Sequence, residues 1–477
     1  MSLTVEVSLI SGKTVSLETQ PDDSVDSLRL RAQKALGVGK GQLLSSTGHV
    51  LDGGSSVSDL KLQNGEALAL RLRGVRISGR HAVAAILGDG SVVTWGPAER
   101  GGECAVSEQL KNAQHIQRNA FAFAAILSDD SVVTWGSARN GGDSNAVRDQ
   151  LQNVQEIQAN DSAFAAIRKD GSVVTWGAGT SARSSPQLKS VRQIQATLMA
   201  FAAIQHDGSV AAWGASSFGG DCSAVQDQLK NVQQIQATQR AFAAILEDGS
   251  VVTWGFPRGG GDSSAVQDQL KNVQQIQANL ASFAAIRNDG SVISWGALGG
   301  GDSAAVQDQL KNVQQIQGTN LAFAAILKDG SVVTWGEADF GGDSSMVQDR
   351  LRQVQQIQAT NGAFAAILSD GCVVTWGDAA TGGDSCEVQH QLKDVHQLQA
   401  TFKAFAAILH DGSVITWGDA GYGGDSIGVR SQLNNVQQIQ ATNAAFAAIL
   451  NDGSVVTWGD DKFGGDSSTL DDQLRSM

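Results

Sequence analysis

The stretch from Ala241 to Gly255 reads Ala-Phe-Ala-Ala-Ile-Leu-Glu-Asp-Gly-Ser-Val-Val-Thr-Trp-Gly. Two short apolar runs flank a turn that contains Asp248 and Gly249, and Asp-Gly between apolar runs is a strong signal for an antiparallel β-hairpin. Apolar residues fall on both faces of each run, so both strands are expected to be buried between neighbouring sheets. The stretch therefore predicts a buried hairpin.

This hairpin recurs along most of the chain, and each copy ends in Trp-Gly. Successive copies are spaced by 37 to 41 residues. The tryptophans that mark them are Trp95, Trp135, Trp176, Trp213, Trp254, Trp295, Trp335, Trp376, Trp417 and Trp458. A fixed period of this length is typical of repeat proteins, in which each unit buries its apolar faces against its neighbours. The sequence predicts ten units.

The remainder of each unit adds a strand and a loop. Residues 232–237, Val-Gln-Gln-Ile-Gln-Ala, precede the hairpin, and the alternation of Gln with Ile235 and Ala237 predicts a strand with one polar face. A polar loop, usually Gly-Gly-Asp-Ser, follows Trp-Gly. A segment such as 224–229 then predicts one or two helical turns capped by Asp or Ser. Each unit is expected to hold three strands, with room for a short fourth.

Residues 75–477 resemble the regulator of chromosome condensation family, including its HERC-like members, whose units form the blades of a β-propeller. The resemblance lies in Asp-Gly-Ser-Val-Val-Thr-Trp-Gly, the Ala-Ala-Ile-Leu strand before it and the Val-Gln-Gln-Ile-Gln strand. Family units are usually longer, and seven of them close the ring. Ten short units leave open one unusually large ring, two smaller propellers or an open superhelical array. A β-solenoid competes as well, but its neighbouring strands would be parallel, whereas the Asp-Gly hairpin makes them antiparallel. An all-β propeller-like array is therefore the expected fold.

The first 74 residues have a different pattern and no net charge, with eight basic and eight acidic side chains. Alternation in residues 4–9 and 14–18 around a Gly12 turn predicts a hairpin. Helical spacing of apolar residues from Val25 to Leu36, a cap at Asp23 or Ser24 and Gly37 at the end predict a helix. Two short strands are expected near residues 42–44 and 67–72. The chain thus divides into 1–74 and 75–477.

This first segment resembles ubiquitin throughout its length. The resemblance is carried by Ser-Gly-Lys-Thr-Val-Ser-Leu-Glu at 11–18, Leu-Asp-Gly-Gly at 51–54 and Leu-Arg-Leu-Arg-Gly at 70–74. It implies an α+β β-grasp fold. Gly74 continues into Val75, so conjugation to a substrate is not expected. The surface by which ubiquitin is usually recognised would be formed by Ile10, Ser45 and Ala69, a weak version that predicts poor binding to generic ubiquitin receptors.

Composition and charge exclude several classes of protein. A net charge of −14 disfavours a large surface for nucleic acid or anionic membranes, because such surfaces neutralise phosphates with Lys and Arg. The sequence contains no apolar run long enough to cross a bilayer and no pattern of a signal peptide. Four cysteines without a Cys-x-x-Cys pair predict free thiols rather than a disulfide framework or zinc site. A cytoplasmic or nuclear location is expected.

No catalytic constellation stands out, since the repeated residues mark architecture rather than one site, and no cofactor is predicted. One series of aspartates precedes Gly in the hairpin turns, and a second follows Gly-Gly in the loops. Calcium ligation or an acidic rim would be functional interpretations, whereas turn and cap hydrogen bonds are the simpler one. Recognition is expected from what varies between units, namely the residues after Trp-Gly and those before each Phe. The candidate contact aromatics are Phe218, Phe340, Tyr422 and Phe463.

The leading functional hypothesis is therefore a non-enzymatic scaffold or adaptor that binds protein partners, linked to the ubiquitin system through its first segment. A ligase is expected only in the sense of a non-catalytic subunit. One alternative, from the family resemblance, is a nucleotide-exchange factor for a small GTPase. A third is a structural repeat that assembles through its faces.

Overall fold

The computed structural model describes residues 2–9, 11–38, 40–72, 74–179, 187–297 and 299–474. Its first part is one sheet with a helix packed on it. The elements are β1 (Leu3–Ser8), β2 (Thr14–Thr19), α1 (Val25–Leu36), β3 (Gly41–Leu44) and β4 (Glu66–Leu72). The strand order is β2-β1-β4-β3, with β1 and β4 parallel and the other pairs antiparallel. We call residues 2–72 the head.

The head forms because its helix is well capped and amphipathic. The Ser24 hydroxyl accepts a hydrogen bond from the Ser27 amide, and Gly37 ends the helix with φ of 64°. Leu28 and Leu36 on the buried face of α1 pack against Val5 and other apolar residues of the sheet. The hairpin, helix and strands predicted for this segment are confirmed.

Each of the ten units is a three-stranded antiparallel sheet in chain order. We number the units 1 to 10 by their tryptophans. The first strands are Arg76–Gly79, Ala113–Arg118, Val154–Ala159, Val191–Ala196, Val232–Ala237, Val273–Ala278, Val313–Gly318, Val354–Ala359, Val395–Ala400 and Val436–Ala441. The second strands are Val83–Ile86, Ala122–Leu127, Ala163–Arg168, Ala200–Gln205, Ala241–Leu246, Phe283–Arg287, Ala322–Leu327, Ala363–Leu368, Ala404–Leu409 and Ala445–Leu450. The third strands are Val92–Trp95, Val132–Gly136, Val173–Gly177, Val210–Gly214, Val251–Gly255, Val292–Trp295, Val332–Gly336, Val373–Gly377, Val414–Gly418 and Val455–Gly459.

The strands follow the predicted pattern. The second strand of unit 5 is buried from Ala241 to Ile245, as expected for a strand covered on both sides. A β-bulge shifts the register between Val232 and Gln234, which lets Val232 and Ile235, three residues apart, both point into the core. No fourth strand is present in the described units.

The helical turns predicted before each following unit form as 3₁₀ turns, and a second set of 3₁₀ turns, which was not predicted, lies directly after Trp-Gly. Those directly after Trp-Gly are Ala98–Arg100, Ala138–Asn140, Ser216–Phe218, Pro257–Gly259, Ala338–Phe340, Ala379–Thr381, Ala420–Tyr422 and Asp461–Phe463. Those before the next unit are Ser107–Gln109, Asn145–Gln150, Ser223–Gln228, Gln267–Gln269, Ala304–Val306, Gln348–Arg350, Ile427–Gln432 and Ser468–Leu470. A short helix, α2 (Asp471–Leu474), follows the last one. In the turns before the next unit, a side chain covers the edge of the third strand. In unit 5, for example, the Gln267 side chain donates a hydrogen bond to the Val251 carbonyl at 2.9 Å.

Neighbouring units pack through shared apolar cores. One cluster joins Ile204 and Val210 of unit 4 to Ile235, Phe242 and Trp254 of unit 5. Every further pair of consecutive units has an equivalent cluster. Each unit therefore buries on its neighbours the apolar faces that it could not bury alone.

Units 10 and 1 pack in the same way, so the array closes on itself. Ile449 and Val455 of unit 10 share a core with Val83 and Trp95 of unit 1. The Trp95 indole donates a hydrogen bond to the Gly464 carbonyl at 2.9 Å, across 369 positions of sequence. Of the arrangements left open by the sequence, the structure is a single propeller-like ring of ten blades.

The ring has two faces. The loop face carries the turns between first and second strands and the 3₁₀ turns after Trp-Gly, whereas the hairpin face carries the Asp-Gly turns. The head packs against the hairpin face: Arg29 forms an ion pair with Asp89 at 2.8 Å, and Gln42 donates hydrogen bonds to the Asp89 carbonyl and to Asn112. The head thus lies at unit 1 and leaves the loop face uncovered.

Candidate protein-binding face

The loop face is built on a repeated cap. In unit 5 the Thr238 hydroxyl accepts a hydrogen bond from the Ala241 amide at 3.0 Å and donates to the Gly259 carbonyl at 2.9 Å. Thr or Asn occupies this position in units 2 to 10 and accepts or donates equivalent bonds. In unit 2 and units 4 to 10 the cap ties the strand turn to the loop after Trp-Gly. Both variable segments of a unit are therefore held side by side.

The residue after the cap forms an inner belt around the central opening. Its backbone amide donates to the carbonyl of the corresponding residue in the next unit, at 2.9 to 3.4 Å, in nine of the ten steps, including the step from Asn443 to Arg80. The belt residues are Arg80, Ala120, Asp161, Leu198, Gln239, Leu280, Asn320, Asn361, Phe402 and Asn443. Strands paired by such bonds lie about 4.8 Å apart, so ten steps give an opening of about 15 Å between opposite backbones.

The belt brings unlike side chains together on a uniform framework. Phe402 is 38% exposed and Met199, beside belt residue Leu198, is 39% exposed. Sequence comparison between units marks these positions as variable, since they lie in the segment before each Phe. It did not single out these two residues, because their exposure depends on the closed ring.

Two of the predicted contact aromatics, Phe218 and Tyr422, lie on the loop face against charged side chains. The Phe218 ring lies 4.6 Å from the Arg240 guanidinium, which also lies 4.1 Å from the Phe256 ring. The Tyr422 ring lies 5.0 Å from the Lys403 ammonium. Arg240 is thus placed between rings of two neighbouring units, which ties their loops together.

The remaining two predicted aromatics are Phe463 and Phe340. The ring centroid of Phe463 in unit 10 lies 5.0 Å from that of His81 in unit 1. Phe340 packs on the core between units 7 and 8. All four candidate aromatics are half-buried, so each offers one edge to a partner while its other side packs on the ring.

Charge is unevenly distributed on the loop face. Burial, together with the nearby cations Arg100, Arg80 and Arg118, lowers the pKa of His81 to about 4. This end of the face is therefore positive while His81 itself is neutral at physiological pH. Units 7 to 10 instead carry carboxylates in their loops, at Glu337, Asp339, Asp378, Asp419, Asp460 and Asp461. The face has a basic side and an acidic side.

The two aspartate series serve the turns. The Asp248 carboxylate accepts hydrogen bonds from the Ser250 amide and hydroxyl at 2.9 and 2.6 Å, and these bonds lower its pKa. In the loop series the Asp262 carboxylate accepts from the Ser264 amide at 2.9 Å. Among the described residues, no group of three or more His, Cys, Asp or Glu side chains is placed to hold a metal ion. These carboxylates act as turn and cap acceptors.

On the head, Ser45 and Ala69 of the predicted recognition surface are half-exposed. Ile10 lies outside the described residues. The same sheet also carries Gln42, which is 4% exposed because the ring covers it. The part of the sheet nearest the ring is therefore hidden, and the part at Ser45 and Ala69 is open.

Comparisons with known proteins find structural similarity only. No protein-family model and no curated protein matches the chain. The structure is similar to that of yeast RCC1 (Prp20) bound to Kap60, at 13% identity over 56% of this chain and 80% of that one, with a TM-score of 0.33. It is similar also to the ectodomain of the Physcomitrella patens receptor kinase CR4 (15% identity, 56% and 73%, TM-score 0.33). The computationally designed protein Ika8 matches at 13% identity over 64% and 96%, with a TM-score of 0.29.

These similarities concern the propeller-like repeats. In the described part of the chain, no helix has the length and apolar character needed to cross a bilayer.

Proposed function

We propose that this protein is a non-enzymatic scaffold that binds a protein partner on the loop face of its ring. The observation that carries the proposal is the inner belt, where ten side chains of seven different types are held around one opening by a repeated backbone framework. Exposed aromatic and long apolar side chains such as Phe402 are typical anchors of protein interfaces. Repetition supplies rigidity, and variation at the belt supplies specificity.

We further propose that the head links this scaffold to the ubiquitin system. Its strand order, with parallel central strands and a helix across them, supports a β-grasp interpretation. A partner of the head would use the open part of the sheet at Ser45 and Ala69, because the region around Gln42 and Arg71 faces the ring. Four free thiols favour the cytoplasm or nucleus, where cysteines stay reduced.

The loop face can be tested by affinity capture with the full chain. The test variant is Phe402→Asp with Met199→Asp, which places charges at two exposed apolar positions of the face. The matched control is Met346→Asp with Ile427→Asp, two residues that are 95% and 76% exposed on turns outside the belt. We expect the control to retain the proteins captured by the wild-type chain and the belt variant to lose them.

Two results would count against the proposal. Capture of no protein by the wild-type chain would remove it, and equal capture by both variants would move the binding surface away from the belt. Stimulated nucleotide release from a small GTPase would favour the exchange-factor alternative instead. For the head, an Ala69→Arg variant should lose those proteins that the wild-type chain captures through the open part of the sheet, while the loop-face partner is still captured.

A further inference from the structure

Unit 2 departs from its siblings at one position of the first strand. The residue paired with the core Phe, or with Val83 in unit 1, is small in nine units but is Arg118 in unit 2. The siblings are Gly79, Ala159, Ala196, Ala237, Ala278, Gly318, Ala359, Ala400 and Ala441. A long cation at a position otherwise reserved for Ala or Gly changes the chemistry of the central opening there.

The small siblings leave space beside this arginine. A recess of about 380 Å³ lies at the belt, with Arg80, Arg118 and Asp161 among its polar residues and Leu198 among its apolar ones. Its floor includes Ala159, Ala196 and Ala237 of the following units. We call this space the Arg118 recess. It is large enough for one or two side chains of a partner.

The charges in the recess do not cancel. Arg80 forms an ion pair with Asp161 at 2.5 Å. The Arg118 guanidinium forms no ion pair or hydrogen bond with another described residue, and the like charge of Arg80 acts on it. Burial, with Arg80, lowers the pKa of Arg118 to about 10, so the guanidinium remains charged at physiological pH. The recess therefore carries one uncompensated positive charge within an array that is strongly acidic overall.

We propose that the Arg118 recess binds the carboxylate side chain of an acidic peptide segment in a protein partner, with Leu198 contacting an apolar residue beside that carboxylate. The inference rests on the proposed scaffold function and specifies the partner's chemistry. A guanidinium presents paired N–H donors that match a carboxylate. Because Asp161 is paired with Arg80, the recess has one net positive charge, which matches the single charge of a carboxylate rather than the double charge of a phosphate.

The test is a double-mutant cycle with the full chain and two short peptides. The probe is acetyl-Gly-Leu-Glu-Leu-Gly-amide, and its partner has Gln in place of Glu, so that only the charge differs. The protein variant is Arg118→Ala, which installs the residue that seven sibling units carry and so preserves the fold. Arg148→Ala, at an exposed position of the same unit, removes the same charge outside the recess. Binding is measured by isothermal titration.

We expect Arg118→Ala and the Glu-to-Gln peptide each to weaken binding by about tenfold or more, since hydrogen bonds to charged groups are worth that much. Combining the two changes should add little further loss, and Arg148→Ala should stay within about twofold of the wild-type chain. Equal weakening by Arg148→Ala, or none by Arg118→Ala, would overturn the proposal. Tighter binding of a phosphoserine peptide would overturn the carboxylate assignment. If peptide binding depends on Arg118 but affinity capture finds no partner, the recess proposal is supported and the scaffold function is not. If partners are captured and their binding does not depend on Arg118, the scaffold function is supported and the recess proposal is overturned.

Discussion

Ring closure makes a quantitative prediction at Trp95. In the closed ring this residue is 4% exposed, as Trp254 is, and both indoles donate to a glycine carbonyl of the preceding unit, at 2.9 and 3.0 Å. Substitution by Phe removes the donor and leaves the carbonyl of Gly464 or Gly219 buried without its partner. An orphaned buried acceptor costs about 1–3 kcal/mol. The missing five-membered ring adds about 1 kcal/mol as a small cavity.

Trp95→Phe and Trp254→Phe should therefore each lower the free energy of unfolding by about 2–4 kcal/mol. Trp95 lies beside Val83, whereas Trp254 stacks on Phe242 with ring centroids 5.2 Å apart. The loss at Trp95 should accordingly lie towards the lower end of the range. Urea unfolding followed by circular dichroism measures both variants, with the midpoint compared at constant slope.

The comparison refutes closure if Trp95→Phe leaves the stability unchanged while Trp254→Phe lowers it. In an open array Trp95 would face solvent at the first unit, and a surface substitution would change stability by no more than about 0.5 kcal/mol. A Trp95→Phe midpoint equal to that of the wild-type chain, beside a full loss in Trp254→Phe, would therefore contradict the ring.

Three further predictions concern the head, the loops and acid. Asp89→Asn should weaken docking of the head by about 1–3 kcal/mol through its bond to Arg29, seen as faster proteolysis near residue 74, with exposed Asp22→Asn as a neutral control. Burial raises the pKa of Asp89, but hydrogen bonds from Ser91 and the charge of Arg29 outweigh burial and hold the pKa below 3.8. Docking of the head should therefore be constant above pH 3.8 and weaken only as the pH falls through the lowered pKa. Gly219→Ala should destabilise the ring by about 2 kcal/mol or more, because φ is 86° and the new Cβ would lie 2.7 Å from the Phe242 ring. The control Gly428→Ala meets no neighbour within 4 Å and should leave the thermal midpoint of unfolding unchanged. The Asp–Ser turn bonds, such as that of Asp248, lower the pKa of their carboxyls, so the turns should keep their stability above pH 3.8 and lose it below, as a hydrogen-exchange series against pH would show.

The sequence was sufficient to predict the strands of each repeat unit, because the residues that determine them lie close together in the sequence. The Asp-Gly turn and the apolar runs around it lie within fifteen residues, and alternation in Val-Gln-Gln-Ile-Gln-Ala marks the first strand. The bulge at Gln233 and Gln234 could not be foreseen, because it depends on Val232 and Ile235 sharing one core. Helical turns were predicted where 3₁₀ turns form, since three to six residues are too few to distinguish the two.

Closure could not be derived from the pattern, because the interface between units 10 and 1 is built from apolar strand residues like every other, with Val83 in place of the core Phe. The candidate binding face could be predicted only in part for the same reason, because its contacts join different units. Phe218 and Phe463 were found as variable aromatics, yet their neighbours Arg240 and His81 belong to adjacent units and became visible only in the structure. Arg118 is detectable once the units are aligned strand by strand, as the one large residue in a column of Ala and Gly.

The inner belt also gives the ring a direction. In nine of the ten steps the amide donates in the same direction around the opening, from one unit to the next, and the step from Asn443 returns to Arg80. At the remaining step the Arg80 amide donates to the Ala82 carbonyl of its own unit, so the belt is open only between units 1 and 2 and the other blades are nearly interchangeable. The docked head, Val83 in unit 1 and Arg118 in unit 2 make these two units different from the others. A partner that contacts them can therefore bind a nearly tenfold-symmetric ring in a single orientation.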